Sequence, residues 1–129
     1  MADTSAWSRF YRGDVGTDDP VASALETQLS SLGVVTTGMV YLELLRGFTR
    51  PGSRSVIESD FAAVPFVEPT RSDYGAAADL SVTCRRAGVQ LDTVDALIAQ
   101  LCIANDLLLL TSDTDFIHAA DHIPVNIVA

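Results

Sequence analysis

The 129-residue sequence has no lysine; its eight basic side chains are all arginines (Arg9, Arg12, Arg46, Arg50, Arg54, Arg71, Arg85, Arg86). That absence excludes a Walker-A phosphate loop, a Schiff-base enzyme and a phospho-receiver domain, each of which relies on a lysine ammonium. Seventeen acids against eight bases give a net charge of −9. Such a balance argues against a general nucleic-acid binder, whose non-specific affinity comes from cations that neutralise phosphates. A polyanionic substrate would need an arginine patch or metal ions. Cysteine is scarce as well: Cys84 and Cys102 are too few for a disulfide scaffold of this size. No uncharged apolar run approaches the roughly 18 residues of a membrane span. Met1-Ala2-Asp3-Thr4 lacks the basic-then-apolar pattern of a signal peptide. The expectation is a cytoplasmic protein without membrane association. No repeat, low-complexity tract or Pro/Gly-rich linker divides the chain, so one domain over residues 1–129 is expected.

Hydrophobic residues make up 48% of the chain, enough to bury a core. Helical stretches alternate with short β-like runs. Residues 5–12 read as a helix stopped at Gly13, and residues 19–32 as a second stopped at Gly33. Val34-Val35-Thr36 reads as a strand, residues 39–48 as an apolar helix, and residues 54–63 as a polar one. Phe66-Val67 is a further short strand. Thr70 with Asp73 three residues on resembles a capping box that opens a helix to about Ala87, closed by Gly88. Residues 93–105 form the most apolar helix, followed by a buried strand at 107–110, a short helix at 116–120 and a last strand at 125–128. Strands alternating with helices imply an α/β fold with a mainly parallel sheet covered on both faces.

Four acids stand in apolar surroundings: Asp3 at the start, Glu43 inside Val40-Tyr41-Leu42-Glu43-Leu44-Leu45, Asp95 inside Val94-Asp95-Ala96-Leu97-Ile98, and Asp113 directly after Leu110-Thr111-Ser112. Residues three or four apart share a helix face, so Asp95 sits with Leu91, Asp92, Ile98 and Ala99, and Glu43 with Met39, Val40, Arg46 and Gly47. An isolated buried carboxylate costs several kcal/mol unless paired, protonated or metal-bound. Asp113 lies at the carboxyl end of a strand, where parallel sheets hold their sites. Oxygen ligands that converge in one pocket select Mg²⁺ or Mn²⁺ over zinc. Each acid alone also has an ordinary explanation as a cap, an ion-pair partner or an exposed charge. Asp92 reads as a helix cap and Asp115 as a first-turn helix acid. A zinc site from Cys84, Cys102, His118 and His122 is disfavoured, because structural zinc sites pair cysteines two to four residues apart. The cysteines read as small core hydrophobes, and His118 as an exposed helix histidine, with assistance in catalysis as its alternative.

Asp3-Thr4-Ser5-Ala6-Trp7, Glu43-Leu44-Leu45-Arg46-Gly47, Asp95-Ala96-Leu97-Ile98-Ala99 and Leu110-Thr111-Ser112-Asp113-Thr114-Asp115-Phe116 together resemble the PIN-domain family, in its order, over residues 3–116. The VapC-type toxin ribonucleases of bacterial type II toxin–antitoxin pairs match best. The resemblance implies a three-layer α/β/α sandwich with a mainly parallel central sheet. It implies Mg²⁺- or Mn²⁺-dependent cleavage of a structured RNA, such as tRNA or rRNA, by metal-activated water attack on a phosphodiester. Asp3, Glu43, Asp95 and Asp113 fill the family's acidic quartet as catalytic and metal-holding residues, and Asp115 matches an acid that supports it. Thr4 and Ser5 match the small hydroxyl residues after the first acid, and Thr111 the one before the last. Arg9, Arg12, Arg46 and Arg50 could contact RNA phosphates, or serve as helix-terminal charges. The implied partners are a VapB-type antitoxin and a second copy of the chain, with residues 39–45 and 61–66 as candidate contacts. A different reading is a non-catalytic binding module whose acidic pocket captures a basic segment; a PIN nuclease acting on DNA flaps or in RNA processing is a third. Setting aside Asp3, Glu43, Asp95, Asp113 and Asp115 leaves 12 acids against 8 arginines. The acidity thus excludes a cation-coated binder rather than a selective nuclease.

Family members carry a longer apolar strand before the first acid, where Met1-Ala2 stand here.

Overall fold

The computed structural model describes residues 1–13 and 18–128, which group into two compact units: Ala2–Val67, and Glu68–Ala129 together with Met1. The first unit carries four helices, α1 (Thr4–Arg12), α2 (Pro20–Ser30), α3 (Gly38–Gly47) and α4 (Pro51–Phe61). Side-chain chemistry sets their ends. Asp3 caps α1 by accepting from the Ala6 amide, and Gly13, at φ +62°, closes it in the left-handed region that glycine enters without a Cβ penalty. Asp19 caps α2, accepting from the Val21 and Ala22 amides, with Pro20 in the first-turn position that needs no N–H. Proline also explains why α4 opens at Pro51, three residues before the start expected at Arg54.

The core of this unit is aromatic. Trp7, fully buried, lies 4.5 Å from Phe61 and stacks on Tyr11 at 5.7 Å between ring centroids, and Leu25, Val40, Leu44 and Ile57 are buried in the same unit. Arg9 pairs with the buried Asp19 at 2.8 Å and so ties α1 to α2. The strand expected at Val34-Val35-Thr36 shrinks to one parallel bridge, Thr36 with Phe66. There the Thr36 amide donates to the Pro65 carbonyl (3.0 Å) and the Val67 amide to the Thr36 carbonyl (2.7 Å). The ladder cannot extend: Pro65 has no N–H to donate, and Thr37 is already the residue before α3.

In the second unit, α5 (Arg71–Arg86) packs along α6 (Thr93–Ala104), followed by β1 (Leu108–Leu109), α7 (Thr114–Ala119) and β2 (Asn126–Ile127). The Thr70/Asp73 capping box forms as the sequence suggests, and Gly88 takes φ +81° past the end of α5. Helix α6 buries Ala96, Leu97, Ile98, Ala99, Leu101 and Cys102, an apolar surface nearly all round that marks a core helix. Strands β1 and β2 pair in parallel, Leu108 with Asn126 and Leu109 with Ile127. On the other edge of β1, the Met1 amine donates to the Leu108 carbonyl (3.0 Å) and the Leu110 amide to the Met1 carbonyl (2.8 Å). Met1 therefore does locally what a longer leading strand would do: it pairs with the strand that leads to Asp113. The run 107–110 is not buried throughout, since Leu108 is 60% exposed while Leu109 is inaccessible; successive side chains of a strand point to opposite faces.

Two acids hold their carboxyls below the ordinary value of 3.8: Asp19 mainly through the Ala22 amide and then Arg9, Asp73 mainly through the Thr70 amide. A depressed carboxylate contributes stability that is present above the unfolded value and lost as pH falls through the folded one. The stability gap between wild type and Asp19→Asn is therefore expected to be largest near pH 7 and to narrow below about pH 4. Urea melts at pH 7 and pH 3 check it; a gap that widens in acid contradicts the assignment.

Candidate acidic site

The first two acids of interest are joined through one helix start. Asp3 is buried, at 3% exposure. Its Oδ1 accepts from the Ser5 hydroxyl (2.7 Å) and from the Ala6 amide (2.9 Å). Placing the acid at the N-cap is favourable, because the first amides of a helix are unpaired donors and the helix dipole is positive there. The next residue, Thr4, donates its hydroxyl to Glu43 Oε1 at 2.7 Å. Glu43 is half-buried on α3, between Leu42, which is exposed, and Leu44, which is buried. Asp3 and Glu43, forty positions apart in sequence, are thus held by consecutive residues of α1.

Asp113 is likewise a cap. Its Oδ1 accepts from the Asp115 amide at 2.9 Å at the start of α7, and its own amide donates to Thr111 Oγ1 at 2.9 Å. Thr111 is buried, Asp113 half-buried and Asp115 exposed. The two hydroxyls bond differently: Ser5 donates to the Asp3 carboxylate, and Thr111 accepts from the Asp113 amide. Asp95 lies in the first turn of α6, half-buried, with its amide donating to the capping Asp92 at 2.8 Å. Asp92 is the cap the sequence suggested, and the neighbours of Asp95 on its face, Leu91, Ile98 and Ala99, are buried.

Among the described residues, no group of three or more His, Cys, Asp and Glu is gathered that could hold a metal ion. The donor chemistry around the acids is nevertheless of one kind. The carboxylates of Asp3, Glu43 and Asp113 each accept on one oxygen from a hydroxyl or a backbone amide. A carboxylate oxygen is a hard donor, of the kind that Mg²⁺ and Mn²⁺ prefer. Cys84 and Cys102 are buried core thiols in no disulfide, and burial pushes the Cys84 thiol up. His118 and His122 are exposed.

The four arginines divide. Arg9 is engaged with Asp19. Arg12 and Arg46 lie in the last turns of α1 and α3, where cations complement the helix dipole, and Arg50 precedes α4; all three are exposed. Two side-chain contacts here escape the sequence reading. Thr4 on Glu43 is one, although the hydroxyl after the first acid is a visible signal. The other is the Tyr11 hydroxyl, which donates to Asp60 Oδ2 at 2.8 Å; burial and that carboxylate push its ionisation well above the usual phenol range.

A family model for the PIN domain matches residues 1–122. No curated protein sequence matches the chain. Among solved structures, FitAcB from Neisseria gonorrhoeae is similar at 17% identity and a TM-score of 0.74, covering 99% of this chain and 95% of that one. VapBC2 from Rickettsia felis, bound to a DNA fragment from the promoter, is similar at 15% identity and a TM-score of 0.74, covering 99% and 96%. At these identities the likeness is one of fold: the PIN-like α/β/α architecture.

Proposed function

The chain belongs to the PIN-domain family, and from that premise we propose that it is a Mg²⁺- or Mn²⁺-dependent endoribonuclease toxin of the VapC type. PIN domains are generally nucleases. The observation that carries the reading is the buried Asp3 carboxylate, whose neighbouring residue grips a second acid, Glu43. Burying a carboxylate this deeply is costly, and capping one helix does not require it, since Asp92 caps α6 from an exposed position.

In this reading Asp3, Glu43, Asp95 and Asp113 hold the divalent ion, Asp115 supports them, and the assignment of all four to one site follows the family's motif order. A bound divalent ion would supply Lewis acidity toward phosphate and a bound water more acidic than bulk water. The chain's own residues orient and bind. Ser5 keeps Asp3 in one rotamer, and Thr111 holds the Asp113 backbone at the strand end. Exposed Arg12, Arg46 and Arg50 meet RNA phosphates, a role for which Arg9 is less suited because Asp19 already occupies it.

The substrate is a structured RNA, tRNA or rRNA. The partners are a VapB-type antitoxin and a second copy of this chain; residues 39–45 and 61–66 each present an exposed apolar side chain, Leu42 and Phe66. The fold family acts here as one PIN-like domain over residues 1–129, in the cytoplasm.

Incubation of the purified protein with total RNA tests the reading. Discrete cleavage is expected with Mg²⁺, loss of at least about 10²-fold in rate with EDTA, and recovery on adding Mg²⁺ or Mn²⁺. Cleavage that persists in EDTA would overturn it. Capture of a basic peptide without any turnover would favour the non-catalytic module.

A further inference from the structure

We infer that Thr4 is the positioning residue for Glu43, setting where that carboxylate stands for cation and RNA; the inference rests on the reading of Glu43 as a working acid. The hydrogen bond has one polarity. An ionised carboxylate can only accept, so the Thr4 hydroxyl donates, and at 2.7 Å the bond is short, as charge-assisted bonds are.

The location of Thr4 makes it available for this work. Inside a helix, a threonine hydroxyl commonly turns back to the carbonyl one turn earlier. Thr4 is the first residue of α1 and has no preceding helical turn, so its hydroxyl is left for a partner elsewhere. Branching at Cβ makes its χ1 stiff. Asp3, one residue earlier, is fixed by the Ser5 hydroxyl and the Ala6 amide. A stiff side chain on a capped helix start is a rigid mount.

Glu43 needs such a mount. It has three rotatable side-chain bonds, stands half-buried, and in the described residues only its Oε1 accepts a side-chain hydrogen bond, from Thr4. One oxygen is pinned and the other is oriented by consequence. The same bond fixes the spacing of Glu43 from Asp3 through adjacent residues of one helix, which no contact along α3 could do. Groups that orient a ligand from behind typically change metal affinity or activity by about 10–100-fold when removed.

The experiment uses the full chain and two readouts: Mn²⁺ binding by electron paramagnetic resonance, and Mg²⁺-dependent RNA cleavage. Thr4→Val keeps shape and branching and deletes the hydroxyl. It is expected to weaken Mn²⁺ binding by about tenfold and lower turnover by at least as much, with thermal stability close to wild type. Thr4→Ser, which retains the donor, is expected to restore both to within about threefold. Should Thr4→Val not fold, Thr4→Ala is read in its place. Wild-type binding and turnover in the hydroxyl-free variant overturn the inference, as does a Thr4→Ser variant as impaired as Thr4→Val. Glu43→Gln separates the two levels. If it leaves binding and cleavage intact, the reading of Glu43 itself fails. If it impairs both while the hydroxyl-free Thr4 variant does not, only the positioning role fails.

Discussion

Asp113→Asn is expected to lower Mg²⁺-dependent RNA cleavage by about 10²–10³-fold, the scale of losing one preorganised electrostatic contact, while leaving the fold almost untouched. On the proposed function the residue would have two duties. Asp113 Oδ1 caps α7 by accepting from the Asp115 amide, and asparagine caps a helix about as well as aspartate. The substitution therefore removes the charge and keeps the cap. Asp113→Ala removes both, adding a stability cost of about 1 kcal/mol. Comparing the two separates structure from chemistry: thermal melts should distinguish Ala from wild type but scarcely Asn, and cleavage should be lost in both. Asp3 offers the same comparison at α1, where Asp3→Asn keeps an acceptor for the Ala6 amide. Cleavage at the wild-type rate in Asp113→Asn would show that this residue is a cap and nothing more.

Trp7→Ala is expected to cost about 3–5 kcal/mol of stability, the range for deleting a buried large aromatic. Trp7 is fully buried, 4.5 Å from Phe61, stacked on Tyr11 and edge-on to Phe10 at 6.1 Å. Its removal withdraws a shared neighbour from α1 and α4. Trp7→Phe should lose less than half as much, for two reasons: most of the apolar volume stays, and the indole Nε1, which is buried without a hydrogen-bond partner, disappears. Leaving such a donor unpaired itself costs about 1–3 kcal/mol. Denaturant unfolding of the three proteins checks both values. A Trp7→Phe variant as unstable as Trp7→Ala would mean that the aromatic packing is not what the site supplies.

The helices were legible because their signals are local. Asp3, Asp19, Thr70, Asp92 and Asp113 cap the helices they precede, and Gly13 and Gly88 take the positive φ past their ends. A capping side chain reaches only two or three residues, so its whole meaning is contained in a short window of sequence. Strands were legible in place but not in length. An apolar run such as Leu107-Leu108-Leu109-Leu110 states that a strand is there; how many of its residues pair depends on what lies alongside, and only Leu108 and Leu109 pair with β2.

The candidate acids were legible as a set because an acid in an apolar context is conspicuous one at a time, and the order of four motifs carries the family. Long-range contacts were not. Thr4 meets Glu43 across 39 positions, Tyr11 meets Asp60 across 49, and the Met1 amine meets Leu108 across 107. No periodicity of 2 or 3.6 residues spans such distances. The sequence by itself determined the capping box at Thr70, the cap at Asp92, the absence of lysine-based chemistry and which acids stand in apolar runs, since each follows from a residue and its close neighbours. Only the tertiary structure decided which hydroxyl holds which carboxylate, because that is settled by the packing of α1 against α3 and of Met1 along β1.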